Sequence, residues 1–122
     1  MVTTREQGDY TENLACQFLE SKGFKLLHRN FHSRFGEIDL VMQHNDSLVF
    51  IEVRYRRTND FGSGAETITP AKQSKLIKTA SVYLQQHAKM NKYPARFDVV
   101  SISGSVATGN PEFDWIENAF GV

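Results

Sequence analysis

With one cysteine in 122 residues, the chain cannot close an intramolecular disulfide or build a cysteine-based zinc cluster. That residue, Cys16, stands beside Ala15 on an expected helix and reads as a small core side chain. The N-terminal MVTTREQGDY lacks the apolar segment of a signal peptide, and no apolar run is long enough to span a bilayer. The resulting expectations are a cytoplasmic location and no membrane partner. Net charge is missing too: 14 Lys and Arg balance 14 Asp and Glu, so the protein is not a generic binder of polyanions. Any affinity for nucleic acid must come from charges clustered locally. His28, His32, His44 and His87 show no HxH or HExxH spacing, and none is assigned to a metal. Repeats, low-complexity tracts and interdomain linkers are also absent. One domain over residues 1–122 remains, with residues 1–8 as a polar, loose lead-in.

What is present centres on residues 36–57, GEIDLVMQHNDSLVFIEVRYRR. Residues 37–43 alternate, and residues 48–56 are rich in β-branched and aromatic types, so both read as strands. The polar residues 44–47 between them have the length of a hairpin loop. If Gln43 faces Leu48, then Ile38, Leu40 and Met42 meet Val53, Ile51 and Val49 on one apolar face. On the other face Val41 meets Phe50, Asp39 meets Glu52, and Glu37 meets Arg54. A salt bridge accounts for Glu37 and Arg54. Asp39 and Glu52 would repel at that separation. Either one carboxyl holds a proton, or one points to water, or a cation sits between them.

Around this hairpin, a helix is expected over residues 10–22, with Asp9 as N-cap and Gly23 as terminator. Leu14, Ala15, Phe18 and Leu19 form its buried stripe. Glu12 extends that stripe, and its ordinary reading is a capping acid favoured by the helix dipole. Residues 24–30 read as a short strand and 31–35 as a basic, aromatic turn. The second hairpin strand ends in Arg54, Tyr55, Arg56 and Arg57, the densest positive charge in the chain. Residues 58–69, with two glycines and no periodicity, read as a mobile loop suited to substrate contact. Thr69 and Pro70 supply an N-cap and a first-turn proline for a helix running to about Lys89. Its stripe is Leu76, Ile77, Ala80, Tyr83, Leu84 and His87, and Gln73 faces inward near its start. Lys72, Lys75 and Lys78 lie off the stripe, solvated or available to a phosphate backbone. Residues 96–103 form a further strand. Residues 112–120 form a last strand or irregular segment whose Phe113, Trp115, Ile116 and Phe120 cap the core.

Metal-assisted phosphodiester hydrolysis needs hard oxygen ligands that hold Mg²⁺ and leave positions for water and phosphate. Two carboxylates on neighbouring strands supply them, and a cation two residues past one carboxylate shares its strand face. Asp39, Glu52 and Arg54 have these types and this arrangement, and Glu12 adds a third acid from the helix.

These residues resemble the PD-(D/E)xK restriction-endonuclease-like superfamily. Within it the chain is most similar to the YraN family of uncharacterised bacterial proteins, whose fold is similar to that of archaeal Holliday junction resolvases. The matching pieces cover nearly the whole chain: Gly8, Glu12 and Ala15; Gly23-Phe24; Asn30; the GEIDL of residues 36–40; the FIEVRYR of residues 50–56; Gln73; Arg96-Phe97-Asp98; and Asn118-Ala119-Phe120. The resemblance implies an α/β fold with an αβββαβ core, a mixed central sheet flanked by helices. It implies Asp39 and Glu52 as ligands of Mg²⁺ (or Mn²⁺), with the Val53 carbonyl as a third. Glu12 would be an accessory acid and Gln73 a helix-borne polar group of the site. Arg54, Arg56, Arg57, Lys72 and Lys75 would contact nucleic acid, and a homodimer is an allowed assembly. Two departures stand out: Ile38 precedes the first acid where proline is frequent, and Arg54 replaces the motif lysine. Arginine cannot serve as a general base, though it can neutralise phosphate charge. The expected function is therefore a Mg²⁺-dependent nuclease, or a nuclease-like protein, acting on DNA, branched DNA by analogy. The alternative is a catalytically weak or inactive nucleic-acid or protein binding module on the same fold.

Overall fold

A computed structural model of the chain describes residues 4–55, 68–104 and 111–121, with side chains from residue 8 onward. The element order is α1 (Thr4–Ser21), β1 (Lys25–Ser33), β2 (Gly36–His44), β3 (Ser47–Tyr55), α2 (Pro70–Gln86), a short 3₁₀ turn (Ala88–Lys92), β4 (Ala95–Ser103) and β5 (Glu112–Phe120). The strands lie in the order β1-β2-β3-β4-β5, and only β3 and β4 are parallel. Parallel neighbours need a long crossover, and α2 sits in it. The architecture is thus the expected α/β core, with a mixed five-stranded sheet between two helices.

Each sheet face buries one helix. Ala15, Cys16 and Leu19 of α1 pack with Leu40, Met42, Val49, Ile51, Val100 and Ile102. Leu76, Ala80 and Tyr83 of α2 pack on the other face with Val41, Leu48, Phe50, Phe97 and Val99. Segment 112–120 is a true strand. Its alternation sends Phe113 and Trp115 to the first cluster and Ile116 and Phe120 to the second.

The end of α1 follows from Gly23. Its φ of +95° is a conformation side chains resist, and it lets Gly23 N–H reach the Glu20 carbonyl and Phe24 N–H the Leu19 carbonyl. The start differs from expectation. The helix runs back to Thr4, so Asp9 is an interior residue and not the N-cap, and residues 4–8 are helical. Arg5, Glu6 and Gln7 are good helix formers that carry no apolar stripe, and periodicity detects burial, not helicity. Glu12 therefore sits two turns inside the helix, out of reach of a capping role. At α2, Thr69 caps the helix as its sequence requires, its hydroxyl accepting from Lys72 N–H at 3.2 Å. The helix ends at Gln86, short of Lys89. There His87 stacks on Tyr83 with ring centroids 4.1 Å apart and bonds the Tyr83 carbonyl, a satisfied boundary histidine.

β1 is longer than the sequence suggests. Phe31, His32 and Ser33 continue in register with Ile38, Glu37 and Gly36, so the turn shrinks to Arg34-Phe35. The β2–β3 hairpin keeps the anticipated register, with Leu40 opposite Ile51, Met42 opposite Val49 and Gln43 opposite Leu48, closed by Asn45-Asp46. The loop expected over residues 58–69 lies outside the described residues except for Ile68 and Thr69.

Two expectations fail beyond Leu40. The pairing of β2 with β3 stops there, while β3 stays paired with β4 through Tyr55. Ile38 then packs with the α2 cluster instead of sharing a face with Leu40 and Met42. Glu37 does not meet Arg54 either. It faces His32 of β1, whose Nε2 is 3.5 Å from its carboxylate. At that level Asn30, with φ of +51°, and Asp39 go unpaired between the Arg29–Leu40 and Phe31–Ile38 pairs, and nearby the register of β1 on β2 shifts between Leu26 and His28. A left-handed residue in a strand turns the side chains beyond it to the other face.

Candidate functional site

The break at Asp39 opens a fork between β2 and β3, and the acids gather there. Glu12 of α1, Asp39 of β2 and Glu52 of β3 line one cavity of about 340 Å³, together with Thr11, Val53 and Tyr55. Asp39 replaces the missing ladder bond with its side chain: Oδ2 accepts from Val53 N–H at 2.8 Å. Glu52 is 8% exposed, and its Oε1 lies 2.8 Å from Nζ of Lys72 in the first turn of α2. With its amide nitrogen turned to the acids, Asn30 donates to Glu37 at 2.9 Å and to Glu12 at 3.0 Å. The same left-handed asparagine that breaks the strand thus ties two of the acids together.

The electrostatics follow from crowding acids out of water. Burial is the largest effect on Asp39, and the Glu52 charge is next. Together they outweigh the Val53 N–H and push its carboxyl from 3.8 to about 8. Burial and then Glu37 raise Glu12 as well, while Asn30 and Arg29 oppose the rise. Without a metal, the conflict between Asp39 and Glu52 is eased on both sides: the Asp39 carboxyl is pushed toward its neutral form, and Glu52 takes the Lys72 ammonium.

Not every anticipated residue joins this group. Arg54 is half-buried on β3, opposite Ser101 of β4, and does not line the acidic cavity. Gln73 does not line it either; its Nε2 donates to the Ile68 carbonyl at 3.0 Å and anchors the entry to α2. Lys75 is exposed beside Gly36. Arg56 and Arg57 lie outside the described residues. Among the described residues, no three His, Cys, Asp or Glu side chains form a ligand set on their own. Asp39 and Glu52 are a two-carboxylate set, which suits Mg²⁺ because that ion keeps several waters and takes one or two carboxylates plus phosphate oxygens.

Two contacts were not visible beforehand. The reach of Lys72 to Glu52 depends on where α2 begins, which Thr69-Pro70 marks, and on how α2 lies across the sheet, which only the fold sets. The place of Asn30 between Glu12 and Glu37 had as its one sequence signal an asparagine, a residue tolerant of left-handed backbone, inside a strand pattern.

A second polar centre belongs to the scaffold. Asp98 is wholly buried in β4, yet every side of its carboxylate is served. It accepts from Arg96 Nε at 3.0 Å, Trp115 Nε1 at 3.0 Å and Asn118 N–H at 2.9 Å. These bonds fasten β5 to β4 across a bulge at Asn118, whose φ is +50°. The motifs at 96–98 and 118–120 are thereby explained as architecture, not chemistry.

The family model for uncharacterised protein family UPF0102 matches residues 11–102. A UPF0102 protein of Nitrosococcus oceani is 48% identical over 98% of this chain and 95% of its own length. Relatives from Vibrio parahaemolyticus and Stutzerimonas stutzeri are 44% and 46% identical, each over 98% of this chain, covering 95% and 98% of their own lengths. Among the described residues, no helix is long and apolar enough to cross a membrane.

Proposed function

The chain belongs to the uncharacterised protein family UPF0102, the YraN family its motifs resemble, and on that footing we propose that it is a Mg²⁺- or Mn²⁺-dependent nuclease acting on DNA. The observation that carries this reading is the meeting of Asp39 and Glu52, with Glu12, at the fork where β2 and β3 separate. Folding has set two carboxylates together and pushed one of them toward its neutral form. A fold gains nothing in stability from that arrangement, whereas a divalent cation would relieve it.

Asp39 and Glu52 would hold the ion, with the Val53 carbonyl adjacent on the same strand. When bound, it would polarise the phosphate and lower the pKa of a coordinated water. The protein's own part is as follows. The Val53 N–H fixes the Asp39 carboxyl at the cavity wall. With an ion bound, Asp39 would be held in its ionised form, and the Lys72 ammonium beside Glu52 would be at hand for a non-bridging phosphate oxygen. Lys72 thus brings from α2 the lysine charge that Arg54 does not bring from β3. It acts here as a charge. Asn30 holds Glu12 and Glu37 at the rim.

The test combines calorimetric titration with Mn²⁺ and cleavage of linear duplex, single-stranded, flapped and four-way-junction DNA. Wild type should bind the ion and cut at least one substrate, and Asp39→Ala and Glu52→Ala should each reduce cutting by about a hundredfold or more. Cutting at wild-type rate in both variants refutes the reading. The second reading, a binding module without catalysis, is favoured by the position of Arg54 outside the acidic cavity. It predicts salt-sensitive DNA binding with no cutting.

A further inference from the structure

A cavity larger than the acidic one lies elsewhere on the molecule. A groove of about 670 Å³ runs between the Arg34-Phe35 turn and the outer face of α2. Arg34 and Lys78, both exposed, line it, and among the described residues no carboxylate does. Gln85 and Gln86 add amides that can donate and accept.

Phe35 marks the groove. It is half-buried yet belongs to neither core cluster, so the fold does not use its ring as core. Two cations approach that ring, the Arg34 guanidinium at 4.7 Å and the Lys78 ammonium at 5.7 Å from its centroid. The turn is held in place. Phe35 N–H donates to Ser33 Oγ at 3.0 Å, and Ser33 Oγ is 2.9 Å from the hydroxyl of Thr79, a wholly buried residue of α2. A β-carbon on Gly36 would lie only 3.8 Å from Lys75 Cβ and Thr79 Oγ1, so turn and helix are in close approach. The ring is thereby held in place, with the two cations lying over it until a ligand takes their position.

The positive charge continues toward the acids. Lys72, Lys75 and Lys78 recur every third residue, about 9 Å from first to last along the helix axis. Lys72 meets Glu52, Lys75 lies beside Gly36, and Lys78 lies over Phe35. A second cavity of about 330 Å³, lined by Gly36, Lys72 and Lys75 with Glu37 at its side, follows the same row.

We infer that this groove binds single-stranded nucleic acid. An unpaired base stacks on Phe35, Arg34 and Lys78 turn from the ring to the flanking phosphates, and the backbone follows the lysine row to the acidic cluster. The inference rests on the nuclease-like reading above and narrows its substrate to DNA with an unpaired segment beside the cut. The aromatic ring decides the ligand class. Bases inside a duplex have both faces stacked on their neighbours, and only an unpaired base has one to offer. An acidic protein segment would match the charge but has no use for that face.

The experiment is fluorescence anisotropy in EDTA, using labelled 12-nucleotide oligothymidine and a blunt 12-base-pair duplex. Wild type should prefer the single strand. Phe35→Ala and Phe35→Leu should each weaken single-strand binding by about tenfold to a hundredfold and leave duplex binding nearly unchanged. Lys78→Gln should lower the slope of log affinity against log salt by about 0.7. Thermal melts of all three should match wild type, since the changes lie outside both cores. The inference is overturned if Phe35→Leu binds like wild type, if the duplex binds as tightly as the strand, or if neither binds. Displacement of the strand by polyglutamate as readily as by unlabelled strand also overturns it and gives the groove to an acidic protein segment. Binding through Phe35 with no cutting of DNA in Mg²⁺ or Mn²⁺ would uphold the groove and sink the nuclease reading. Cutting with no effect of Phe35 would do the reverse.

Discussion

Replacing Asp39 by Asn should make the metal-free protein more stable, and the gain should grow with pH. The carboxyl of Asp39 titrates at about 8 in the folded protein against 3.8 ordinarily, because burial and then Glu52 oppose its charge. Folding at neutral pH must therefore return a proton that the unfolded chain has lost. The sign is fixed by the direction of the shift: the folded state binds more protons, so stability is full below pH 4 and is lost as pH rises toward 8. At about 1.4 kcal/mol per unit, the loss reaches about 4 kcal/mol by pH 7. Asn carries no such proton, and its amide oxygen can still accept from Val53 N–H. The two proteins should match near pH 4 in urea denaturation with EDTA present, and the variant should lead by up to about 4 kcal/mol near neutrality. A gap that stays constant from pH 4 to 8 would refute the claim that Asp39 holds a forced proton. The companion measurement is Mn²⁺ affinity. An ion that must displace that proton should bind wild type about tenfold more weakly per pH unit below 8.

Other perturbations probe separate parts of the structure. Lys72→Met strips a cation from a carboxylate that is 8% exposed and should cost about 1–2 kcal/mol in urea denaturation at pH 7; unchanged stability would mean that water serves Glu52 equally well. Asp98→Ala orphans Arg96, Trp115 Nε1 and Asn118 N–H and should cost about 3–5 kcal/mol. Trp115 is the only tryptophan in the chain, so its emission should report β5 loosening before the sheet melts. Asn30→Ala should cost about 1–2 kcal/mol through its left-handed backbone, and Asn30→Gly should recover most of that while still freeing Glu12 and Glu37. Equal losses in the two variants would assign the cost to the amide and not to the backbone.

The parts of the fold legible in sequence are those with local causes. Gly23 ends α1, Thr69-Pro70 starts α2, and alternation from Leu40 to Ile51 sets the hairpin register, because each rests on backbone geometry or on period-two burial. The same reasoning misplaced the start of α1, where polar helix formers leave no periodic mark. It also carried the hairpin register past Leu40, where a single left-handed asparagine on the neighbouring strand overrides alternation. The pairing of Glu37 with Arg54 failed for that reason.

Sequence by itself determined which residue types were available: carboxylates at 39 and 52, a helix acid at 12, an arginine where a lysine is usual, and lysines at 72, 75 and 78. It also determined the family and, with it, the architecture. Only the tertiary structure decided what those residues meet. Parallel pairing of β3 with β4 requires a crossover, the crossover lays α2 across the sheet, and its first turn then delivers Lys72 to Glu52 across a gap of twenty residues. The fork at Asp39, its raised pKa and the aromatic groove at Phe35 have the same origin. Each joins segments distant in the chain, and a local pattern carries no information about which distant segment will pack against it.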